Sequence, residues 1–258
     1  MKFYKMHGAG NDFIFFEGDP EISSSGLKKI CDRNLGIGAD GVIFIKKVPD
    51  SDFKMKYFNA DGSKADFCAN GGRCAVLLAS VLMYFKSTHC TFVADDGVHE
   101  GSILESGDIM IKMAAEKDYE EGLLFEGIDN NFYYINTGVE HVVGFYDNID
   151  AVDVHKFGSQ IRNNRKFPNG TNANFVQRSS NNTLLIRTYE RGVEAETKAC
   201  GTGITAAGLI DMRLSGDDKK IIRTVLGYEM TVQKKDGSVF LCGPAELVFE
   251  GFIDLSAV

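Results

Sequence analysis

"LLIRTYERGVEAETKACGTGITAAG" (Leu184–Gly208) runs from a β-rich segment through a charged loop to a cysteine, then into a small, glycine-punctuated run that turns apolar. The same order occurs earlier in "MKYFNADGSKADFCANGGRC" (Met55–Cys74): strand, polar loop, cysteine, glycines, helix. Two copies of one unit in a chain of 258 residues predict two lobes of ordinary domain size, each able to bury its own core. Outward from these copies, short or alternating β-rich segments recur, among them KFYKM, DFIFFE, GVIFIKK, EHVVGFY, NANFVQ, YEMTVQKK, SVFLCG and AELVFEGFI. Turn signals such as DDG (Asp95–Gly97) and KDG (Lys235–Gly237) separate them. The pattern predicts a strand-dominated α+β protein.

Helices are few. One is expected from about Gly71 to Phe85, with Cys74, Leu77, Leu78, Val81, Leu82 and Phe85 along a single apolar face. A second begins near Gly201 and is apolar on nearly all sides, which predicts a helix enclosed by strands. Shorter helices are expected at Leu27–Arg33 and Val154–Asn163, and the acidic stretch Glu116–Gly122 is the expected interlobe connection.

Composition narrows the function. Apolar residues make up 44% and charged residues 25%, the balance of a soluble globular protein. A net charge of -8 without a lysine cluster argues against a nucleic-acid partner. No leader-like h-region and no bilayer-length apolar run is present, so no membrane partner is expected and the expected location is cytoplasmic. Six cysteines are too few and too unevenly spaced for a secreted disulfide framework.

Cys68 and Cys200 each stand just before the glycine-containing start of a predicted helix. The first N–H groups of a helix lack internal partners and carry partial positive charge, which stabilises a thiolate and can also grip a carboxylate. A buried, inert thiol is the alternative, and it is the better account of Cys31, Cys74, Cys90 and Cys242, which lie in apolar helix or strand runs. Zinc fits less well, because CANGGRC has a five-residue gap and no second ligand pair follows; a redox pair lacks C-x-x-C.

HGAGNDF (His7–Phe13), GIGADG (Gly36–Gly41), NTGVEH (Asn136–His141) and NGTNANF (Asn169–Phe175), in order with the two cysteine motifs, resemble the diaminopimelate epimerase family. The resemblance implies two similar barrel-like lobes, each wrapped around a central helix, with the active site in the interlobe cleft. It places residues 1–115 and about 248–258 in an N-terminal lobe carrying Cys68, and residues 116–247 in a C-terminal lobe carrying Cys200. It implies a cofactor-free, metal-free epimerase, without pyridoxal phosphate, acting on a small diamino dicarboxylate and commonly a homodimer. Cys68 and Cys200 would be the catalytic pair, and His141 and Glu190 would modulate their pKa values. Backbone N–H groups of Ala69, Asn70, Gly201 and Thr202 would hold the reacting carboxylate. Asn11, Asn59, Asn172, Glu190 and Arg191 would hold the amino and carboxylate ends, Arg191 clamping the distal carboxylate.

The chain departs from the family pattern at Ala69, where glycine usually follows the cysteine, at Val139 and Glu140, where GNPH is common, and at Gly41 after Asp40. Two other readings compete. A proline-racemase-like enzyme of the same fold would have no distal carboxylate for Arg191 to clamp, and a cysteine hydrolase using Cys200 with His141 would not need Cys68. Oxidation is expected to join Cys68 and Cys200 if they face one another.

Overall fold

Strand alternation produces two ladders with the same order of pairings. The computed structural model describes residues 1–180 and 182–255. One unit comprises Met1–Ile111 and the chain from Gly243 onward, the other Lys112–Cys242. The first contains β1 (Lys2–Gly8), β2 (Asn11–Glu17), α1 (Ser24–Cys31), β3 (Gly41–Val48), β4 (Ser51–Asn59), β5 (Lys64–Ala65), α2 (Ala69–Val81), β6 (His89–Ala94), β7 (Gly97–Ile103) and β8 (Ile109–Lys112). The second contains β9 (Lys117–Phe125), β10 (Ile128–Asn136), β11 (Glu140–Phe145), α3 (Val154–Arg162), β12 (Asn172–Arg178), β13 (Thr183–Glu190), β14 (Ala195–Thr197), α4 (Gly201–Ser215), β15 (Lys219–Arg223), β16 (Glu229–Lys235) and β17 (Ser238–Gly243). The last strand, β18 (Glu246–Phe252), pairs with β1.

Neighbours in the first ladder run β18, β1, β2, β3, β4, β6, β7, β8, parallel only at β2/β3 and β4/β6. The second runs β9, β10, β11, β12, β13, β15, β16, β17, parallel only at β11/β12 and β13/β15. Each parallel pair is bridged by a helix, as a parallel connection requires. The short β5 and β14 add to β4 and β13 at matching registers, Tyr57 opposite Ala65 and Thr188 opposite Thr197. Strand β18 therefore serves the first unit as β9 serves the second. Residues 256–258 of the expected C-terminal return lie outside the described residues.

Both long helices are enclosed. In α4 all residues from Gly201 to Met212 except Thr202 are buried, as expected from its apolar surface. Helix α2 was expected to bury one face, yet every residue from Ala69 to Val76 is buried, whereas Val81 is 55% exposed. Beyond Val76 only the side carrying Leu78 and Ala79 is buried; over the first two turns position along the helix, not side, sets its burial. The reason is close approach: a Cβ on Gly71 would lie 2.6 Å from Ile43 Cδ1, and one on Gly72 would lie 2.8 Å from the Phe67 ring. The helix also ends four residues earlier than expected. The chain reverses through Met83 at φ 57°, and Phe85 is buried from beyond the turn.

The expected connection at Glu116–Gly122 is instead the start of β9, paired with β10. Its charges misled because Lys117–Gly122 is exposed apart from half-buried Tyr119, and only Leu123 and Phe125 beyond it reach the core. The shorter helices fall where capping dictates. Ser23 accepts from the Gly26 N–H before α1, and Asp153 accepts from the Lys156 N–H before α3.

Candidate active site

Cys68 is the N-cap of α2 (φ −134°, ψ 120°), with its carbonyl accepting from the Gly72 N–H at 2.7 Å and its side chain not used as a cap. The thiol lies 3.7 Å from Asn11 Oδ1 as donor, and Asn70 Nδ2 donates to the same oxygen at 3.2 Å. That orientation of Asn11 is chemically fixed, because its Nδ2 donates to the Asp40 carboxylate at 2.9 Å and a carboxylate only accepts. Asp40 is in turn held by Arg33, which also grips Asp12. Burial pushes Asp12 up, but Arg33 and Lys5 outweigh it and hold this carboxyl well below the usual range. Below the site, Arg73, fully buried, donates to Asn70 Oδ1 at 2.9 Å. Ala69 is the first residue of α2 and does not have a positive φ, so its Cβ is accommodated. Asn59 ends β4 in a turn, with its Nδ2 donating to Ser63 Oγ at 3.1 Å. Thus Cys68, Asn70 and Asn11 are brought together, whereas Asn59 has a separate local partner.

In the second unit Cys200 occupies the same place, the N-cap of α4 (φ −109°, ψ 108°), with the Ile204 N–H on its carbonyl at 2.8 Å. Its sulfur is 3.5 Å from Thr202 Oγ1, and the Thr202 carbonyl accepts from buried Thr137 at 3.0 Å. Gly203 permits this helix start, since a Cβ there would lie 2.4 Å from Asn174 Oδ1. Asn174 Nδ2 donates to the Val142 carbonyl at 3.0 Å, which can only accept and so fixes the amide, with Nδ2 also toward His141 Nδ1 and Oδ1 accepting from the Thr188 hydroxyl at 3.0 Å. Nδ1 of His141 is therefore an acceptor, and the neutral ring carries its proton on Nε2. Burial, and then the charge of Arg191, push the imidazole down to about 3, so it is neutral at physiological pH. Nε2 is buried with no hydrogen-bond partner among the described residues.

Glu190 ends β13 and accepts from Thr197 at 2.7 Å. Asn172 spans two neighbours: its Oδ1 accepts from the Arg191 N–H at 2.9 Å and its Nδ2 donates to the Glu140 carbonyl at 3.0 Å. The Arg191 guanidinium reaches Glu140 at 2.9 Å.

Asp40, Asn174, Thr188, Thr137 and Arg73 were missed as supports. Asn174 had a legible signal: in NANF it alternates with Asn172 and so shares its face of the strand. Cys31, Cys74 and Cys90 behave as buried hydrophobes. Desolvation pushes Cys31 up to about 11 and Cys74 and Cys90 to about 12.

A model of the diaminopimelate epimerase family matches residues 3–117 and 133–248. The diaminopimelate epimerase of Flavobacterium psychrophilum is 41% identical over 97% of this chain and 99% of that protein. That of Aquifex aeolicus is 39% identical over 97% of each. Among solved structures, a phenazine biosynthesis protein of the PhzF family from Bacillus anthracis matches with TM-score 0.73 at 16% identity, over 97% of this chain and 98% of that one. A hydroxyproline epimerase from Agrobacterium vitis matches with TM-score 0.71 at 13% identity, over 97% and 91%. These two likenesses show a mixed α+β fold of two repeated halves and leave the substrate open. Sequence likeness over nearly the whole length decides further: the chain belongs to the diaminopimelate epimerase family, isomerases of lysine biosynthesis.

Proposed function

We propose that Cys68 and Cys200 perform the diaminopimelate epimerase reaction as a pair of bases, without a cofactor. An amino acid's α-hydrogen is a very weak acid, so its removal needs a positioned base and donors aimed at the carboxylate, where charge develops. Each half offers both in one place. A thiol stands at a helix start beside the first N–H groups of that helix, those of Ala69 and Asn70 or of Gly201 and Thr202. One sulfur, as thiolate, takes the proton, and the other, as thiol, returns one to the opposite side of the carbon. Configuration inverts, and in the reverse direction the two exchange roles. The observation that carries this reading is the duplication itself: two cysteines at matching N-caps, neither used to cap its helix.

Asn11 Oδ1 can only accept, so a thiol at Cys68 can donate to it. His141 supplies an Nε2–H that can donate to a thiolate and lower its pKa. A hydrolase reading needs His141 as a base, but Nδ1 is committed to Asn174 and Nε2 bears the proton. Glu190 accepts from the reacting ammonium, and Arg191 clamps the distal carboxylate, its backbone held by Asn172. Asn11 and Asn59 complete the binding set.

The reaction is tested by following deuterium at the α-carbon of LL-diaminopimelate in D2O. Cys68→Ala and Cys200→Ala are each expected to lose about 10^3-fold in turnover, the scale of positioned acid–base groups. Full turnover in either variant overturns the pair.

Two further expectations, a homodimer and a cytoplasmic location, belong to the same proposal. Strand β18 exposes Leu247, Val248, Phe249 and Phe252, the last 82% exposed, on a strand whose described pairing is with β1. An apolar edge of this kind suits a homodimer contact, and sedimentation of Phe252→Lys beside the parent chain tests it. Cytoplasmic action would keep both thiols reduced, as the two-base scheme requires. No helix among the described residues is long and apolar enough to cross a membrane.

A further inference from the structure

The Arg191 guanidinium is held by one of its nitrogens. Nη1 donates to Glu140 Oε2 at 2.9 Å and lies 3.0 and 3.2 Å from the carbonyl oxygens of Asn169 and Gly170. The remaining edge, Nε with Nη2, is one that can grip a carboxylate through two parallel bonds. Glu140 meets Arg191 through a single oxygen, which leaves Oε1 able to accept. Both side chains remain reachable, 26% and 23% exposed, and Asn172 ties their backbones together. Burial, and then the carboxylates of Glu140, Asp118 and Glu120, raise the hydroxyl of Tyr134, and Glu120 is itself paired with Lys166 at 2.6 Å.

We propose that Glu140 is a specificity-determining residue, accepting from the distal ammonium of the substrate while Arg191 grips the distal carboxylate on the same carbon. The proposal rests on the reading of Arg191 as the distal clamp. An arginine alone would hold any chain that ends in a carboxylate. The Glu140–Arg191 pair has no net charge, so a lone carboxylate gains from Arg191 and is repelled by Glu140. An α-amino-acid head, itself a zwitterion, is attracted by both. The pair thus selects a second amino-acid centre rather than a second acid.

The test compares LL-diaminopimelate with L-2-aminopimelate, which keeps the chain and terminal carboxylate but lacks the distal ammonium, using α-hydrogen exchange by the full-length protein. The parent chain is expected to favour diaminopimelate. Glu140→Gln is expected to lose about tenfold or more of that preference in kcat/KM, on the scale of one charge-assisted contact. The loss should arise from a higher KM for diaminopimelate, with KM for 2-aminopimelate unchanged or lower. Glu140→Asp, which keeps the charge, should retain most of the preference. An unchanged ratio in Glu140→Gln overturns the proposal, as do equal rises in both KM values (Glu140 only orients Arg191) or equal falls (Glu140 only blocks it). Arg191→Gln separates the layers. Unchanged KM values there remove the clamp and the proposal with it, whereas raised KM values with an unchanged ratio in Glu140→Gln leave the clamp and remove only Glu140's part.

Discussion

At matching positions the two halves treat the start of their central helix differently. In the first unit Gly71 lies over Ile43 and Phe13, and Phe13 packs edge-on against Tyr57 at 5.9 Å. Strand register places His141, Asn174 and Thr188 of the second unit where Phe13, Ile43 and Tyr57 stand in the first. Gly203 stands where Gly71 does, three residues after the cysteine. One backbone mould is thus filled once by an apolar cluster and once by a polar network. The network demands more of its surroundings, because a buried polar group must find a partner or cost stability. Thr188, Asn174 and the Val142 carbonyl satisfy one another and His141 Nδ1, leaving only Nε2 over. The unsatisfied group is the one assigned to the chemistry.

The sharpest contrast lies in the charges on the helices. Buried Asp211 in α4 meets Lys220 at 2.8 Å and Arg178 at 2.6 Å, whereas α2 has no acidic residue. Asp211→Asn leaves Lys220 with its more exposed partner Asp217 and the amide oxygen of Asn182, so a loss of about 3 kcal/mol is expected in urea unfolding. A loss below about 1 kcal/mol would show that α4 depends on the pair no more than α2 does.

Next come the two glycines. An added Cβ at Gly203 would strike Asn174 Oδ1 at 2.4 Å and break the network, while at Gly71 it would strike Ile43 Cδ1 at 2.6 Å, a side-chain end that can rotate. Gly203→Ala should therefore cost about 2–3 kcal/mol and Gly71→Ala about 1 kcal/mol, within the usual cost of overpacking. Equal costs would break the distinction between the halves.

A third difference is pH. His141 has a folded pKa of about 3 against 6.5, so the unfolded chain binds more protons between those values. Stability should be fully present above pH 6.5 and fall toward pH 3, by up to about 1.4 kcal/mol per pH unit from this group. Phe13 offers no counterpart. In His141→Gln the slope of melting temperature against pH over that window should flatten, and an unaltered slope would assign it elsewhere.

The smallest effect concerns the helix ends. Val81 is exposed, and counting from the cysteines it matches Arg213, also exposed. Val81→Arg should change stability by no more than about 0.5 kcal/mol. A core-sized loss would restore the single apolar face expected for α2.

Much of the fold was legible. The repeated order of strand, loop, cysteine and helix marked both halves, because turn residues and the short apolar runs act locally. The enclosed α4 was legible too, since its run from Ile204 to Met212 has almost no polar side. Strand β9 was not, because Lys117–Glu121 is exposed and reads as a charged linker until pairing with β10 makes it a strand. The same held for α2, whose burial depends on what packs against Gly71 and Gly72. At the site the cysteines and Arg191 were visible as residues, but not the Asp40 contact that orients Asn11, nor the Val142 carbonyl that orients Asn174 and so sets the His141 tautomer.

By itself the sequence determined the duplicated plan, the two helix-start thiols and the family, all carried by neighbouring residues in order. Tertiary structure alone decided which atoms of those residues donate and which accept. Hydrogen-bond direction depends on partners far along the chain: Asp40 lies 29 residues from Asn11, and Glu140 lies 51 from Arg191.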